Sequence, residues 1–396
     1  MSIINRREFL AGSSALAGLS FMSLAGCSKK TDSIRVGFML PYTGTYAKLG
    51  MAIENGFRLA LGELGDKPFG KTIDFYTVDD ESNPAKATDN ANKIMTRDNV
   101  DVVIGTVHSG VAMGMIKVAK DTGSLVIVPN AGANAATGAM CAPNVFRTSF
   151  SNWQPTHPLG KIMVEQGLKK SIFVTWKYGA GEEASASFRE GFEAAGGEVI
   201  KELFVPFPNV EFQAILTEIA SLRPDAVACF FAGGGAVKFV KDYAAAGLKK
   251  SIPLFGSGFL TEGVLDAQGD AAEGVTTTLH YADQLQNAKN KAFREAYRLA
   301  YSEEADVYAV QGYDAGLLLI KALQETSGDL SQKVKAIQAM EGAEIDSPRG
   351  AWKMSKSHNP IQNFYTMKVR NGVNEVVGTA WENLEDPAVG CDLKEL

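Results

Sequence analysis

The sequence predicts an α/β protein of two lobes, each a parallel sheet flanked by helices, and three observations carry that prediction. Short apolar runs without polar alternation take turns with longer helical runs, as expected of parallel strands covered on both faces. The series stops and restarts after residues 146–150. At 396 residues the chain is also long enough that two cores are favoured over one.

The first run, 34–40, leads into a helix over 51–64, where Ile53, Phe57, Leu61 and Leu64 recur at helical spacing. Strand 72–78 and helix 84–97 come next, with Pro84 suited to a first helical turn. Strand 100–104, helix 109–121 and strand 125–128 complete the first series. In the second series the strands are 171–175, 198–205, 226–231, 252–255 and 274–281. Its helices are 154–166, 181–195, 211–222 and 236–246. A helical block over 287–340 precedes β-like segments at 351–354, 365–369 and 373–381. No tandem repeat of solenoid length interrupts this order.

Ahead of the first strand, Asn5-Arg6-Arg7-Glu8-Phe9-Leu10 opens an uncharged stretch that continues to Ser28. A charged n-region before an apolar h-region is the layout of an export signal. The adjacent Arg6 and Arg7 resemble the address of the twin-arginine system. Leu24-Ala25-Gly26-Cys27 resembles a bacterial lipobox. The expectation is therefore a signal peptide over 1–26, lipidation at Cys27, and a tether over 27–33 that anchors the protein at the periplasmic or cell-surface side of the membrane. The alternative is a spanning anchor, which needs about 20 mostly apolar residues. Gly12, Ser13, Ser14, Gly18, Ser20, Ser23 and Gly26 dilute this stretch.

The net charge is −6, and removing the leader makes the remainder slightly more negative. That charge argues against nucleic acid as a partner, because phosphate binding needs a basic stripe. Of the other cysteines, Cys229 falls in an apolar run and reads as a small buried hydrophobe. Cys141 and Cys391 lie in Ala/Pro/Gly-rich loops, where an oxidising compartment permits pairing. Spacing alone leaves a Cys141–Cys391 disulfide and two free thiols both open.

Catalytic signatures are missing: the sequence has no G-x-S-x-G elbow, no H-E-x-x-H and no P-loop. His108, His157, His280 and His358 are too scattered for metal spacing, and the Gly-rich turns do not form G-x-G-x-x-G. No metal and no cofactor are expected. The informative residues stand instead in loops after strand C-termini, where open parallel sheets bind ligands. These are 40–46, 105–110 and 130–133 in the first series, and 176–179, 231–233 and 256–259 in the second. Small residues there let a ligand approach backbone N–H groups. The helix starting near Ser109 offers its positive end to an anion, with Thr106 and Ser109 hydroxyls beside it.

Several segments in order carry a resemblance: Arg35-Val36-Gly37 before Pro41-Tyr42-Thr43-Gly44, Asp79-Asp80-Glu81-Ser82-Asn83-Pro84-Ala85, Phe146-Arg147-Thr148, and Gln311-Gly312-Tyr313-Asp314-Ala315. With these the chain resembles ABC-transporter solute-binding proteins of the type I periplasmic class, in the leucine/isoleucine/valine-binding branch. The resemblance implies two lobes joined by three crossovers. Lobe one would span 34–149 and 283–345, and lobe two 150–282 and 346–396. Ligand would be trapped when the lobes close and then delivered to permease and ATPase subunits. By position, the ligand-binding residues would be Tyr42, Thr43, Tyr46, Thr106, Ser109, Ala131 and Ala133 from lobe one. Lobe two would supply Trp176, Tyr178, Phe231, Gly256, Phe259 and Tyr281.

The sequence departs from amino-acid binders of this kind at 256–259. There an acidic residue usually meets the ligand ammonium, and here stand Gly256-Ser257-Gly258-Phe259, with Glu262 beyond. Loop aromatics are frequent, so the expected ligand is a small hydrophobic carboxylate. It would be an aromatic acid, or a branched-chain or aromatic amino acid with Glu262 or Asp283 as ammonium partner. A ligand-sensing receptor domain of the same fold is the alternative role. An enzyme is the third reading, disfavoured by the missing catalytic motifs.

Overall fold

The computed structural model describes residues 33–393. The expected signal peptide, Arg6, Arg7, Cys27 and the tether up to Asp32 lie outside the described residues. Among these residues no helix is long and apolar enough to cross a membrane.

The first series forms β1 (Ser33–Leu40), α1 (Ala47–Gly62), β2 (Thr72–Asp79), α2 (Ala87–Asn92), β3 (Val102–Gly105), α3 (Ser109–Thr122), β4 (Leu125–Val128) and β5 (Val145–Arg147). The five strands make one parallel sheet in the order β2-β1-β3-β4-β5. Every residue of β3 and β4 is buried, because both faces of the sheet are covered. Val102, Ile104, Leu125 and Ile127 face a core shared with Ile53 and Phe57 of α1. Their neighbours Val103 and Val126 face a second core with Val111 and Met115 of α3. Alternation along each strand thus feeds two layers.

The second series gives α4 (Trp153–Glu165), β6 (Lys170–Lys177), α5 (Gly179–Ala194), β7 (Glu198–Pro206), α6 (Gln213–Leu222), β8 (Ala226–Phe230), α7 (Gly233–Ala245), β9 (Leu254–Ser257), α8 (Leu265–Gln268) and β10 (Thr276–Leu279). There follow α9 (Ala288–Tyr301), α10 (Val307–Glu325), α11 (Lys333–Glu341), β11 (Glu344–Ile345), β12 (Trp352–Met354), β13 (Pro360–Arg370) and β14 (Val373–Leu384). The second sheet runs β11-β12-β13-β10-β9-β8-β6-β7, with β14 paired to β13.

Two sequence expectations need correction here, and a third is refined. The second sheet is parallel only from β7 to β10, and β11 to β14 extend it in antiparallel fashion. The single helix expected over 84–97 is a short 3-10 turn, α2 and a π-helical turn at Lys93–Arg97. The block 287–340 is three helices: Ser302 adopts a left-handed conformation after α9, and Asp306 caps α10 by accepting from Ala309 N–H at 2.9 Å.

The chain passes between the sheets after β5, after β10 and after α11. Buried polar side chains tie these passages together. The Arg349 guanidinium lies 3.0 Å from Asp314 Oδ2 on α10 and donates to Thr148 O at 2.7 Å. Arg147 donates to Ala133 O and to Asn359 Oδ1, both at 2.7 Å. Beyond β14 the tail reaches the segment between β4 and β5, where Cys391 is joined to Cys141 in a disulfide with Cα atoms 5.6 Å apart.

Candidate functional site

A small, mostly apolar cavity lies where the C-terminal ends of the parallel strands of both sheets meet. From the first sheet's side come Tyr46 and Leu49 of the β1–α1 region, Val107 and Ser109 after β3, and Asn130 and Gly132 after β4. The passage after β5 adds Phe150 and Asn152. Tyr178 and Ala180 follow β6, Phe230 and Ala232 stand at the β8–α7 junction, Phe259 follows β9, and Tyr308 opens α10.

Most of the wall is apolar. Phe150 and Phe259 pack with ring centroids 4.8 Å apart, and Phe259 lies 5.9 Å from Tyr308 in a nearly parallel arrangement. The hydroxyls of Tyr46 and Tyr178 meet at 3.2 Å, linking the two sides of the cavity. Gly132 has to be glycine: a Cβ there would lie 2.2 Å from Asn152 Oδ1 and 2.6 Å from Phe150 Cε2.

No Lys, Arg, His, Asp or Glu is among the lining residues. Fixed dipoles supply the field instead. Ser109 is the first residue of α3, and Tyr178 and Ala232 directly precede α5 and α7. First-turn N–H groups lack intrahelical partners, and the helix N-terminus carries partial positive charge. Such a site favours an anion without presenting a formal cation. His108 supports this geometry in neutral form. Its Nδ1 accepts Gly110 N–H at 3.0 Å, its ring sits 5.0 Å from that of Tyr178, and burial lowers its pKa to about 4.

Near the cavity, burial raises the pKa of Asp306 to about 6, opposed by backbone N–H groups that stabilise its charge. Between the unfolded value near 3.8 and about 6 the folded chain keeps a proton that the unfolded chain has lost. Stability therefore falls as pH rises through that window and is flat above it. Asp306→Asn retains a capping oxygen and removes the buried charge. It is expected to raise Tm by several degrees at pH 7.5 and to have little effect near pH 4. Melting curves at both pH values check this, and a lower Tm at pH 7.5 would refute it.

Of the residues expected from sequence to bind ligand, Tyr46, Ser109, Tyr178 and Phe259 line the cavity. The others are engaged elsewhere. Tyr42 donates to Glu54, and Thr43 donates to Asp79 at 2.7 Å. Thr106 donates to the buried Asp80, and Ala131 N–H bonds Thr106 O at 2.9 Å. Ala133 O is taken by Arg147. Trp176 is still within β6, fully buried, with its indole N–H on Asn209 O at 2.8 Å. Phe231 packs into an aromatic core with Phe239 and Phe212. Gly256 is a packing glycine, since a Cβ would meet Cys229 O at 2.9 Å. Tyr281 donates to Asn290 at 3.0 Å. Neither proposed ammonium partner reaches the cavity lining: Glu262 accepts from Asn374 at 2.6 Å, and Asp283 lies 3.8 Å from Arg294.

Phe230, Phe150, Asn130, Asn152 and Tyr308 line the cavity without having been expected. Phe230 was within reach of sequence reasoning, because side chains alternate along a strand and only one of two adjacent phenylalanines can face the ligand. Asp306 as a helix cap would similarly have placed Tyr308 at a helix start.

Comparison with known proteins gives the family. A solute-binding protein of an ABC transporter from R. palustris, solved in complex with benzoate, is 51% identical with a TM-score of 0.89, covering 91% of this chain and 100% of that one. A second, from Rhodopseudomonas palustris BisB5 in complex with 3,4-dihydroxybenzoic acid, is 32% identical with a TM-score of 0.85 over 90% and 99% of the two chains. The Leu/Ile/Val-binding protein homolog 6 of Brucella melitensis is 32% identical over 90% of this chain and 92% of its own length. A periplasmic binding protein family model matches residues 33–374, and with the two-lobed fold and the cavity between its strand ends, the chain belongs to that family.

Proposed function

We propose that this protein is the extracytoplasmic binding component of an ABC importer and that its ligand is a small aromatic monocarboxylate. The carrying observation is the composition of the cavity: aromatic walls, neutral donors and converging helix N-termini, with no charged side chain in the lining. A carboxylate gains from the helix ends and from Ser109, and a ring packs on Phe150 and Phe259. An amino-acid ammonium would be desolvated without an acidic partner, which is costly. Benzoate in the 51%-identical R. palustris protein supports the same chemistry.

Ligand bridging both lobes stabilises the closed form, which permease and ATPase subunits would then recognise. No covalent step is involved. We take 34–149 with 283–345 as lobe one and 150–282 with 346–396 as lobe two. Export by the twin-arginine route, followed by acylation of Cys27 and cleavage before it, would hold the protein beside its permease. Cys27→Ser is expected to move it from the membrane fraction to the soluble fraction; retention at the membrane would refute the anchor.

A thermal-shift panel tests the ligand. Benzoate or a hydroxybenzoate at ~100 times Kd should stabilise the protein by about 2.7 kcal/mol. Leucine, isoleucine and phenylalanine should leave the melting temperature unchanged. The opposite pattern would overturn the aromatic-acid reading.

A further inference from the structure

Tyr308 presents a polar atom that nothing else in the site explains. The residue is 2% exposed and lines the cavity, and its hydroxyl has no hydrogen-bond partner among the described residues. The two other phenols of the cavity, Tyr46 and Tyr178, already bond each other at 3.2 Å. A buried hydroxyl left unpaired is destabilising, so the closed, liganded state gains if the ligand brings a partner to it.

The surrounding charges restrict what that partner is. Asp306 stands two residues before Tyr308, and both Asp306 and Glu262 act electrostatically on its phenol. A ligand carboxylate brought to Tyr308 would face the acidic Asp306. At the α3 terminus, by contrast, Ser109 and the first-turn N–H groups favour negative charge. Ser109 and Tyr308 thus prefer different groups, an anion at Ser109 and a neutral group at Tyr308. A hydroxyl suits Tyr308 because it can donate as well as accept.

Resting on the aromatic-carboxylate reading above, we propose that Tyr308 is a specificity residue that recognises a hydroxyl substituent on the ring of the ligand. The wild-type protein then binds 3- or 4-hydroxybenzoate roughly tenfold more tightly than benzoate, the size expected for one hydrogen bond to an otherwise unpaired buried group.

The test is isothermal titration of the full mature chain with benzoate, 3-hydroxybenzoate and 4-hydroxybenzoate, on wild type and Tyr308→Phe. The expected result is a preference for one hydroxylated isomer in the wild type that collapses to within about twofold in the variant. A wild type that binds benzoate as tightly as both hydroxybenzoates overturns the proposal, and this arm does not depend on the variant folding. Equal weakening of all three ligands in Tyr308→Phe overturns it as well, because the phenol would then serve the carboxylate or the fold. If none of the three ligands binds the wild type, it is the aromatic-carboxylate reading itself that fails.

Discussion

Ser109→Asp is expected to weaken binding of an aromatic carboxylate by at least about 100-fold while leaving the protein folded. Ser109 is 4% exposed, begins α3 and lines the cavity. An aspartate there would set a fixed negative charge against the ligand carboxylate. Two like charges about 4 Å apart repel by about 4 kcal/mol at an effective dielectric of 20, which is more than two decades in affinity. Stability should fall by much less than affinity: burying the new carboxylate is costly, and its place in the first turn of a helix offsets roughly 0.3–1 kcal/mol of that. Calorimetric titration and ligand-free melting separate the two effects. Affinity within threefold of wild type would mean that the carboxylate does not sit at this helix end. Ser109→Ala, which removes only one hydroxyl, should cost about fivefold.

Gly312→Ala is expected to destabilise the protein by about 3 kcal/mol and to weaken ligand binding with it. A Cβ on Gly312 of α10 would lie 1.9 Å from Ile53 O of α1, and one on Gly56 of α1 would lie 1.9 Å from Ala309 O. The two helices therefore cross with backbone against backbone, and an added methyl has no flexible neighbour to displace. Overpacking of this kind typically costs 1–3 kcal/mol, and here the obstacle is a carbonyl. The consequence reaches the site because α1 brings Leu49 to the cavity and α10 brings Tyr308. Urea denaturation and ligand titration of the same variant check both parts. A change in stability below 0.5 kcal/mol would show that the helices can separate freely.

The alternation of apolar strands and helices was legible because each strand is buried on both faces and each helix carries a periodic apolar stripe. The antiparallel half of the second sheet was not. Its strands occur late in the chain, and nothing local distinguishes β13, which inserts beside β10, from any other β-like run. A Cys141–Cys391 pair could be proposed from loop composition, but the two residues are 250 positions apart, and only the folded path of the tail brings them together.

For the site, the sequence by itself pointed to six of the contributing segments: those after β1, β3, β4, β6, β8 and β9 all supply residues to the cavity lining, as strand ends do in an open parallel sheet. It also determined that no acidic residue stands at 256–259 to meet an ammonium. Tertiary structure alone decided which side chain of each loop faces the ligand. Phe230 faces the cavity and Phe231 the core; Tyr178 stands at a strand end, while Trp176 lies within the strand and packs beneath it. Turning one residue along a strand reverses the face, and a loop's exit angle is set by what packs under it. Tyr308 and Phe150 arrive from segments distant in sequence, so their convergence depends on the crossing of α10 over α1 and on the passage between the sheets. Those are long-range packing outcomes that no local pattern encodes.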